Sequence, residues 1–308
     1  MSCCLAIFHK QLGDLVILEP TLRRLVQANG QQLDLITRSG FKPLSRLMPG
    51  VNFRSKPKAK VYDKLWCFDD RHKSAFYSFL SRAREKHLLV NPCALPQWYH
   101  FRIFKTISAP DPGRCHVSQY YWENSLDSEG GIYGPPQLEP PPREWAFPIS
   151  SRNYLHVNPT SGWKSKNWTQ EKWVITLNRL AEHGLGPIVM TSGQQKWQKE
   201  YCAVICRQVN VPIECVSGKT DMKNYLWLLW NAKAVLTLDG SASHIAAAFK
   251  RKCVTLFGHT DAACWHLNTA YSRAIVAGDI LGLQFPRLTN LPHEPVIEAT
   301  VKLWYDKG

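Results

Sequence analysis

Acidic residues are scarce in this chain: 24 Asp and Glu stand against 38 Lys and Arg in 308 residues, a formal net charge of +14. An excess of that size points to an anionic partner: nucleotide phosphates, a phosphorylated acceptor, an acidic membrane surface or a nucleic acid. No run of five or six basic residues occurs, so the charge is not a tail. A basic helix and an aromatic-basic strand motif are also lacking, so nucleic acid is not the expected partner. No apolar stretch approaches the roughly 20 residues that span a bilayer. The apolar start Met1-Ser-Cys-Cys-Leu-Ala-Ile-Phe8 runs into His9-Lys10 without the basic leader of a signal peptide and reads as a first buried strand. Any membrane association is then expected to be peripheral, and the protein itself is expected in the cytoplasm. Metal-binding spacings are missing too. The ten cysteines show no C-x-x-C pair, and no Asp-x-Asp adjoins a strand, so no metal is expected.

What is present is an alternation of apolar runs and helical patterns. The runs Cys4–Phe8, Leu33–Ile36, Lys64–Phe68 and His87–Val90 read as strands. Between the first two, a helical pattern begins at Asp14 and is kinked or restarted near Pro20. Gly134-Pro-Pro-Gln-Leu-Glu-Pro-Pro-Pro142 cannot form a helix or an interior strand. It marks a connector over residues 135–151 between a domain of residues 1–134 and one of 152–308. After it the rhythm restarts, with strands at Tyr154–Val157, Pro187–Met190, Ile213–Val216, Ala234–Leu238 and Cys253–Phe257. Helices are expected from Thr169, from Gln195, over Met222–Asn231 and over Glu294–Tyr305. The fold class is therefore α/β, with two doubly wound, Rossmann-like domains.

The chemistry-bearing residues follow strands, where open α/β sheets place ligands. Asp239-Gly-Ser-Ala-Ser-His244 lies between two buried strands. Small residues at Gly240, Ser241, Ala242 and Ser243 let backbone N–H groups approach an anion at a helix start. His244 faces phosphates or is an interior histidine. Asn158-Pro-Thr-Ser-Gly-Trp-Lys-Ser-Lys-Asn-Trp168 sets Thr160, Ser161, Lys164 and Lys166 in one loop, a surface suited to phosphate. Trp163, Trp168 and Trp173 read as packing residues. Ser192-Gly-Gln-Gln195 and Gly258-His-Thr-Asp261 close neighbouring strands. Asp14, after Leu12-Gly13, is either a helix cap or a general base that deprotonates an acceptor hydroxyl.

Taken in order, Leu12-Gly-Asp14 with Pro20 and Leu22-Arg23, Lys73-Ser74 after Asp69-Asp70, Lys166-Asn-Trp168, Asp239 to His244, and Phe257-Gly-His-Thr260 resemble the ADP-heptose:lipopolysaccharide heptosyltransferases of glycosyltransferase family 9. The resemblance runs from about residue 4 to residue 268. It implies a GT-B architecture, with two Rossmann-like domains facing across a cleft. It also implies an inverting, metal-independent transfer of heptose from ADP-heptose, a co-substrate rather than a cofactor, to the anionic, Kdo-bearing inner core. In that family the aspartate matching Asp14 is the proposed base. The lysine matching Lys166 contacts the donor phosphates, and the segment matching Asp239 to His244 cradles them. Thr160, Ser161 and Gln195 fall on the donor side, and His9, Lys10, Gln11, Arg71 and Lys73 on the acceptor side. The chain departs from the family at three places. Gly240-Ser241 stands where Thr-Gly is frequent, Gln195 where a ribose-binding glutamate stands, and His9-Lys-Gln-Leu12 where many members carry serines. Rival readings are a transferase using another nucleotide sugar for capsule or O-antigen, and, from other classes, a basic nucleic-acid-binding protein or a catalytically silent scaffold.

Overall fold

The computed structural model describes residues 3–90, 96–109, 116–125, 131–149 and 153–306, and separates into two compact units, Met1–Glu139 and Pro140–Gly308. In the first unit, β1 (Cys4–Ile7), β2 (Leu33–Ile36), β3 (Val51–Arg54), β4 (Val61–Cys67), β5 (Arg82–Leu89) and β6 (Thr106–Ser108) form one sheet in the order β3-β2-β1-β4-β5-β6. The second unit repeats this plan. Its strands β7 (Leu155–Asn158), β8 (Ile188–Met190), β9 (Ile213–Cys215), β10 (Ala234–Leu238), β11 (Lys252–Phe257) and β12 (Ser272–Val276) take the order β12-β11-β10-β7-β8-β9. Every pairing is parallel. Each sheet is thus doubly wound, and its strand order reverses between its first and fourth strands, β1/β4 and β7/β10.

Parallel strands are covered on both faces by their crossover helices, so central ones read as near-continuous apolar runs. Cys4-Leu-Ala-Ile7 and Ala234-Val-Leu-Thr-Leu238 do so, and all their residues are buried. The strands absent from the sequence expectation, β3, β6 and β12, are all sheet edges. Half exposed and carrying polar residues such as Asn52, Arg54, Thr106 and Arg273, they show no apolar run to read.

The helical pattern expected from Asp14 is two helices, Leu12–Ile17 and Glu19–Ala28, parted at Leu18. Pro20 stands in the first turn of the second, where its missing N–H removes no intrahelical bond. In the second unit, Thr169 caps the helix Gln170–Glu182 as its position suggests: its Oγ1 accepts from the Lys172 N–H at 3.3 Å. Trp168 and Trp173 pack edge to face beneath it, 5.3 Å apart and almost wholly buried. Trp163 differs from its expected packing role, because it is 63% exposed on the loop ahead of them.

The proline-rich stretch is not free of its surroundings. The Gln137 N–H donates to the buried Glu19 carboxylate at 2.8 Å, Arg23 donates to the Pro135 carbonyl, and the Glu139 N–H reaches the Leu47 carbonyl, all within the first unit. Beyond Pro140, Trp145 is buried, and its carbonyl accepts from Asn224 in the second unit. Residues 150 and 151 of the expected connector lie outside the described residues.

Loss of the Thr169 hydroxyl leaves the Lys172 N–H without its cap. Thr169→Ala should therefore cost about 1 kcal/mol of the second unit's stability, read as an earlier denaturation midpoint with an unchanged slope.

Candidate functional site

The reversal of strand order leaves the carboxyl ends of β1 and β4, and of β7 and β10, as the places where neighbouring crossovers part and a ligand has room. Most of the residues singled out by sequence fall at these two places, whereas Ser192 to Gln195 follow β8 and Gly258 to Asp261 follow β11. At each reversal, a lysine from the loop after the first strand pairs with an aspartate from the loop after the fourth. Lys10 Nζ lies 3.1 Å from Asp70 Oδ1, and Lys166 Nζ lies 2.6 Å from Asp239 Oδ2.

In the first unit, β1 ends in His9 and Lys10, and β4 in Asp69 and Asp70. Adjacent on an extended chain, the two carboxylates diverge. Asp69 turns inward and is fully buried; it accepts from the His9 N–H at 2.5 Å and the Arg71 N–H at 2.9 Å. Burial pushes its carboxyl above the ordinary value. Asp70 turns to Lys10. The His9 imidazole is buried, stacked on Tyr77 at 5.5 Å and bonded through Nδ1 to Ser74 Oγ at 2.8 Å. Burial, reinforced by the Lys73 and Arg38 charges, lowers it from 6.5 to about 4. Arg38 also donates to the His9 carbonyl. His9, Lys10, Arg71 and Lys73 therefore surround one strand end, while Gln11 caps the next helix and is exposed. Asp14 sits at the third position of that short helix rather than at its cap. Its Oδ2 accepts from the Gln11 N–H at 3.3 Å and the side chain is half-buried. Its charge is felt by the buried Tyr121 hydroxyl, as are those of Asp69 and Asp70.

In the second unit, Thr160 and Ser161 are held by residues that sequence reasoning did not single out. Asn158 Oδ1 accepts from the Thr160 N–H, and Asn167 Oδ1 from the Ser161 N–H, each at 3.3 Å. Asn158 Nδ2 donates to the buried Tyr225 hydroxyl at 3.1 Å. Gln198 joins two loops: its Nε2 donates to the Ser161 carbonyl at 2.7 Å, and its Oε1 accepts from the Gln195 N–H at 3.1 Å. Gly193 leaves room for it: a Cβ there would overlap the Gln198 amide and push it out of these two bonds. Gln195 caps the helix Lys196–Gln208, and its side-chain oxygen accepts from the Trp197 indole. Asn158 and Asn167 stand inside motifs read from the sequence, but buried amides offer no periodic pattern, so the bracing roles of these two and of Gln198 are visible only in the fold.

After β10, Asp239 is buried, whereas Gly240 and Ser241 reach the surface at the start of the helix Ser241–Ala248. Ala242, Ser243 and His244 are buried within that helix, with Ser243 Oγ donating to the Gly240 carbonyl. Through its pair with Asp239 the Lys166 ammonium borders the start of this helix, 5.5 Å from the exposed Trp163 ring. Asp261, in the last of these loops, is committed to capping: its Oδ1 accepts from the Ala263 N–H at 2.8 Å. Among the described residues no group of three His, Cys, Asp or Glu side chains is placed to hold a metal ion.

The family model for glycosyltransferase family 9 (heptosyltransferase) matches residues 122–280, just over half of the chain. Lipopolysaccharide heptosyltransferase 3 of Escherichia coli (strain K12) is 29% identical over 160 residues, 49% of this chain and 46% of that protein. The alignment thus spans about half the length of that curated relative. Among solved structures, a glycosyl transferase family 9 protein from Veillonella parvula DSM 2008 superposes with a TM-score of 0.83 at 13% identity, covering 99% of this chain and 98% of that one. E. coli heptosyltransferase WaaC with ADP superposes with a TM-score of 0.76 at 17% identity, covering 97% and 99%. Likenesses at such identities establish the α/β fold of two Rossmann-like units.

The neutral His9 gives a pH signature. A folded protein that refuses a proton its unfolded chain accepts loses stability as pH falls, here from about 6.5 toward 4. Glu19, pushed up to about 7 by burial, acts in the opposite sense and loses its contribution as pH rises toward 7. The comparison is therefore between wild type and His9→Asn. The variant should show the weaker loss of stability on acidification from pH 6.5 to 4.5, measured by denaturant unfolding at each pH.

Proposed function

The chain belongs to glycosyltransferase family 9, and on that footing we propose that it transfers heptose from ADP-heptose to the lipopolysaccharide inner core, with inversion at the anomeric carbon and without a divalent metal. In this reading the second unit receives the nucleotide sugar and the first the anionic acceptor. The observation that best supports it is the Lys166–Asp239 pair beside the amides of Gly240 and Ser241.

The chemistry follows from these groups. An ammonium has three N–H donors. In Lys166 one is spent on Asp239, which aims the side chain, and the others remain for diphosphate oxygens. The first amides of the helix Ser241–Ala248 add their partial positive charge. Together they stabilise the charge that builds on the departing diphosphate, the part a divalent cation plays in other transferases. In this reading Gln195 and the Ser192-Gly193 turn, joined to the Ser161 loop through Gln198, serve the ribose and base. On the acceptor side, Lys10, Arg71 and Lys73 hold the anionic sugar acids, while the buried, neutral His9 supports this strand end through Ser74 without meeting the acceptor itself. Asp14 takes the proton from the attacking hydroxyl as the bond to the anomeric carbon forms and the bond to the diphosphate breaks. Because the acceptor is carried on lipid, the protein works at the cytoplasmic face of the inner membrane.

Two measurements test this. Asp14→Asn should lower kcat about 10²- to 10⁴-fold, the usual cost of losing a general base, while ADP still raises the melting temperature. If Asp14 only supports its helix, turnover per folded molecule stays near normal and the reading fails. In a nucleotide panel, ADP should protect the protein against heat more than UDP or GDP does, by mass action on the folded state. The Lys166→Met/Asp239→Asn double variant, in which no lone charge is left behind, should lose that protection. Equal protection by UDP would move the donor to another nucleotide sugar.

A further inference from the structure

The helix His72–Leu80 inverts the usual rule of burial. Its inward residues are Ser74, Ala75 and Ser78, with Ser74 bonded to His9 and Ser78 Oγ donating to the Ser74 carbonyl. Its outward residues include Phe76, Phe79 and Leu80, at the i, i+3 and i+4 positions that share one face. A second short helix, His100–Ile103, adds Phe101, and the turn before it adds Trp98. The two segments meet through the His72–Tyr99 ring contact at 5.3 Å, and Tyr99 in turn contacts Trp98 at 5.8 Å. Phe76, Phe79, Trp98 and Phe101 are each between 57% and 72% exposed. Single exposed apolar residues need no explanation, but a contiguous aromatic surface marks an interaction site.

The charge around this surface selects the partner. From Arg71 to Lys105 the chain holds seven Lys and Arg and one acidic residue, Glu85, which is itself paired with Lys105 at 2.8 Å. Arg71, Lys73, Arg82 and Arg102 are exposed, with the Arg102 guanidinium 5.7 Å from the Trp98 ring. Large aromatic and aliphatic side chains ringed by cations are the pattern of a surface that lies in the headgroup layer of an anionic bilayer. We propose that the face formed by Phe76, Phe79, Leu80, Trp98 and Phe101 docks the protein on an anionic membrane surface, the rings entering the interface and the arginines meeting lipid phosphates. The same helix begins at Arg71 and Lys73, so docking would bring the proposed acceptor residues to the membrane; that consequence alone rests on the transferase reading.

The test is co-sedimentation of the full chain with vesicles of phosphatidylethanolamine and phosphatidylglycerol, against phosphatidylcholine vesicles. Wild type should bind the anionic vesicles preferentially and lose binding in high salt. Phe76→Ser/Phe79→Ser should weaken binding at least about tenfold, since burial of one such ring is worth that much. Its melting temperature and protection by ADP should not change. Arg82→Glu/Arg102→Glu should weaken binding similarly, whereas Lys223→Glu, an exposed lysine of the second unit, should leave it intact. The proposal is overturned by any of three outcomes: no anionic-vesicle binding by wild type, a phenylalanine variant that binds as wild type does, or self-association or oligonucleotide binding through this face in place of vesicle binding. Vesicle binding is measured without turnover, and turnover on a water-soluble acceptor without vesicles, so the two readings fail separately.

Discussion

The constraint from which the rest of this structure follows is the reversal of strand order in each parallel sheet, between β1 and β4 and between β7 and β10. On either side of that point the crossover helices run to opposite faces, so the strand ends are left uncovered by neighbouring connections. Two loops far apart in sequence are brought side by side there, 60 residues apart in the first unit and 73 in the second. A Lys–Asp pair joins them in both cases. Each pair holds a cation at a fixed position at a strand end, and this happens twice in one chain. A polar cluster at a strand end is stable only when its members satisfy one another, and that satisfaction is what gives the side chains defined positions.

The two units elaborate this common plan with different side chains. In the second, small residues at Gly240 and Ser241 open the helix beside the Lys166–Asp239 pair. Asn158, Asn167, Gln198 and Tyr225 stiffen the neighbouring loops. In the first, larger groups converge: a buried carboxylate, a neutral imidazole and several exposed cations. Their shared support is Ser74, whose small side chain lets its helix approach β1 and leaves that helix's bulky residues facing outward. The inward packing of serine and the outward display of phenylalanine are thus one arrangement, linking the proposed acceptor residues to the proposed membrane face.

Several elements were legible from local pattern. The strands Leu33–Ile36 and Ala234–Leu238 and the helices Met222–Asn231 and Glu294–Tyr305 have the bounds their periodicity suggests. Asp14 was read as a cap or base because it follows a strand, but its place at the third position of a separate six-residue helix depends on the break at Leu18. Trp163 stands exposed where a packing role is expected, because nothing in a loop's composition tells which side of the chain faces solvent. Three of the four edge strands, β3, β6 and β12, carry no apolar run, because solvent on one side removes the need for one; the fourth, β9, is legible in Ile213–Val216.

The amino-acid order by itself determined the alternation of strands and helices, the restart after the proline-rich stretch, the excess of positive charge and the loops that carry polar residues. These are properties of neighbours along the chain, where periodicity and backbone preference act over a few residues. Only the tertiary structure decided which lysine meets which aspartate, that the His9 ring is buried and neutral, and that Phe76 and Phe79 face outward. Those outcomes depend on packing between segments tens of residues apart, whose burial and pairing energies no local window contains.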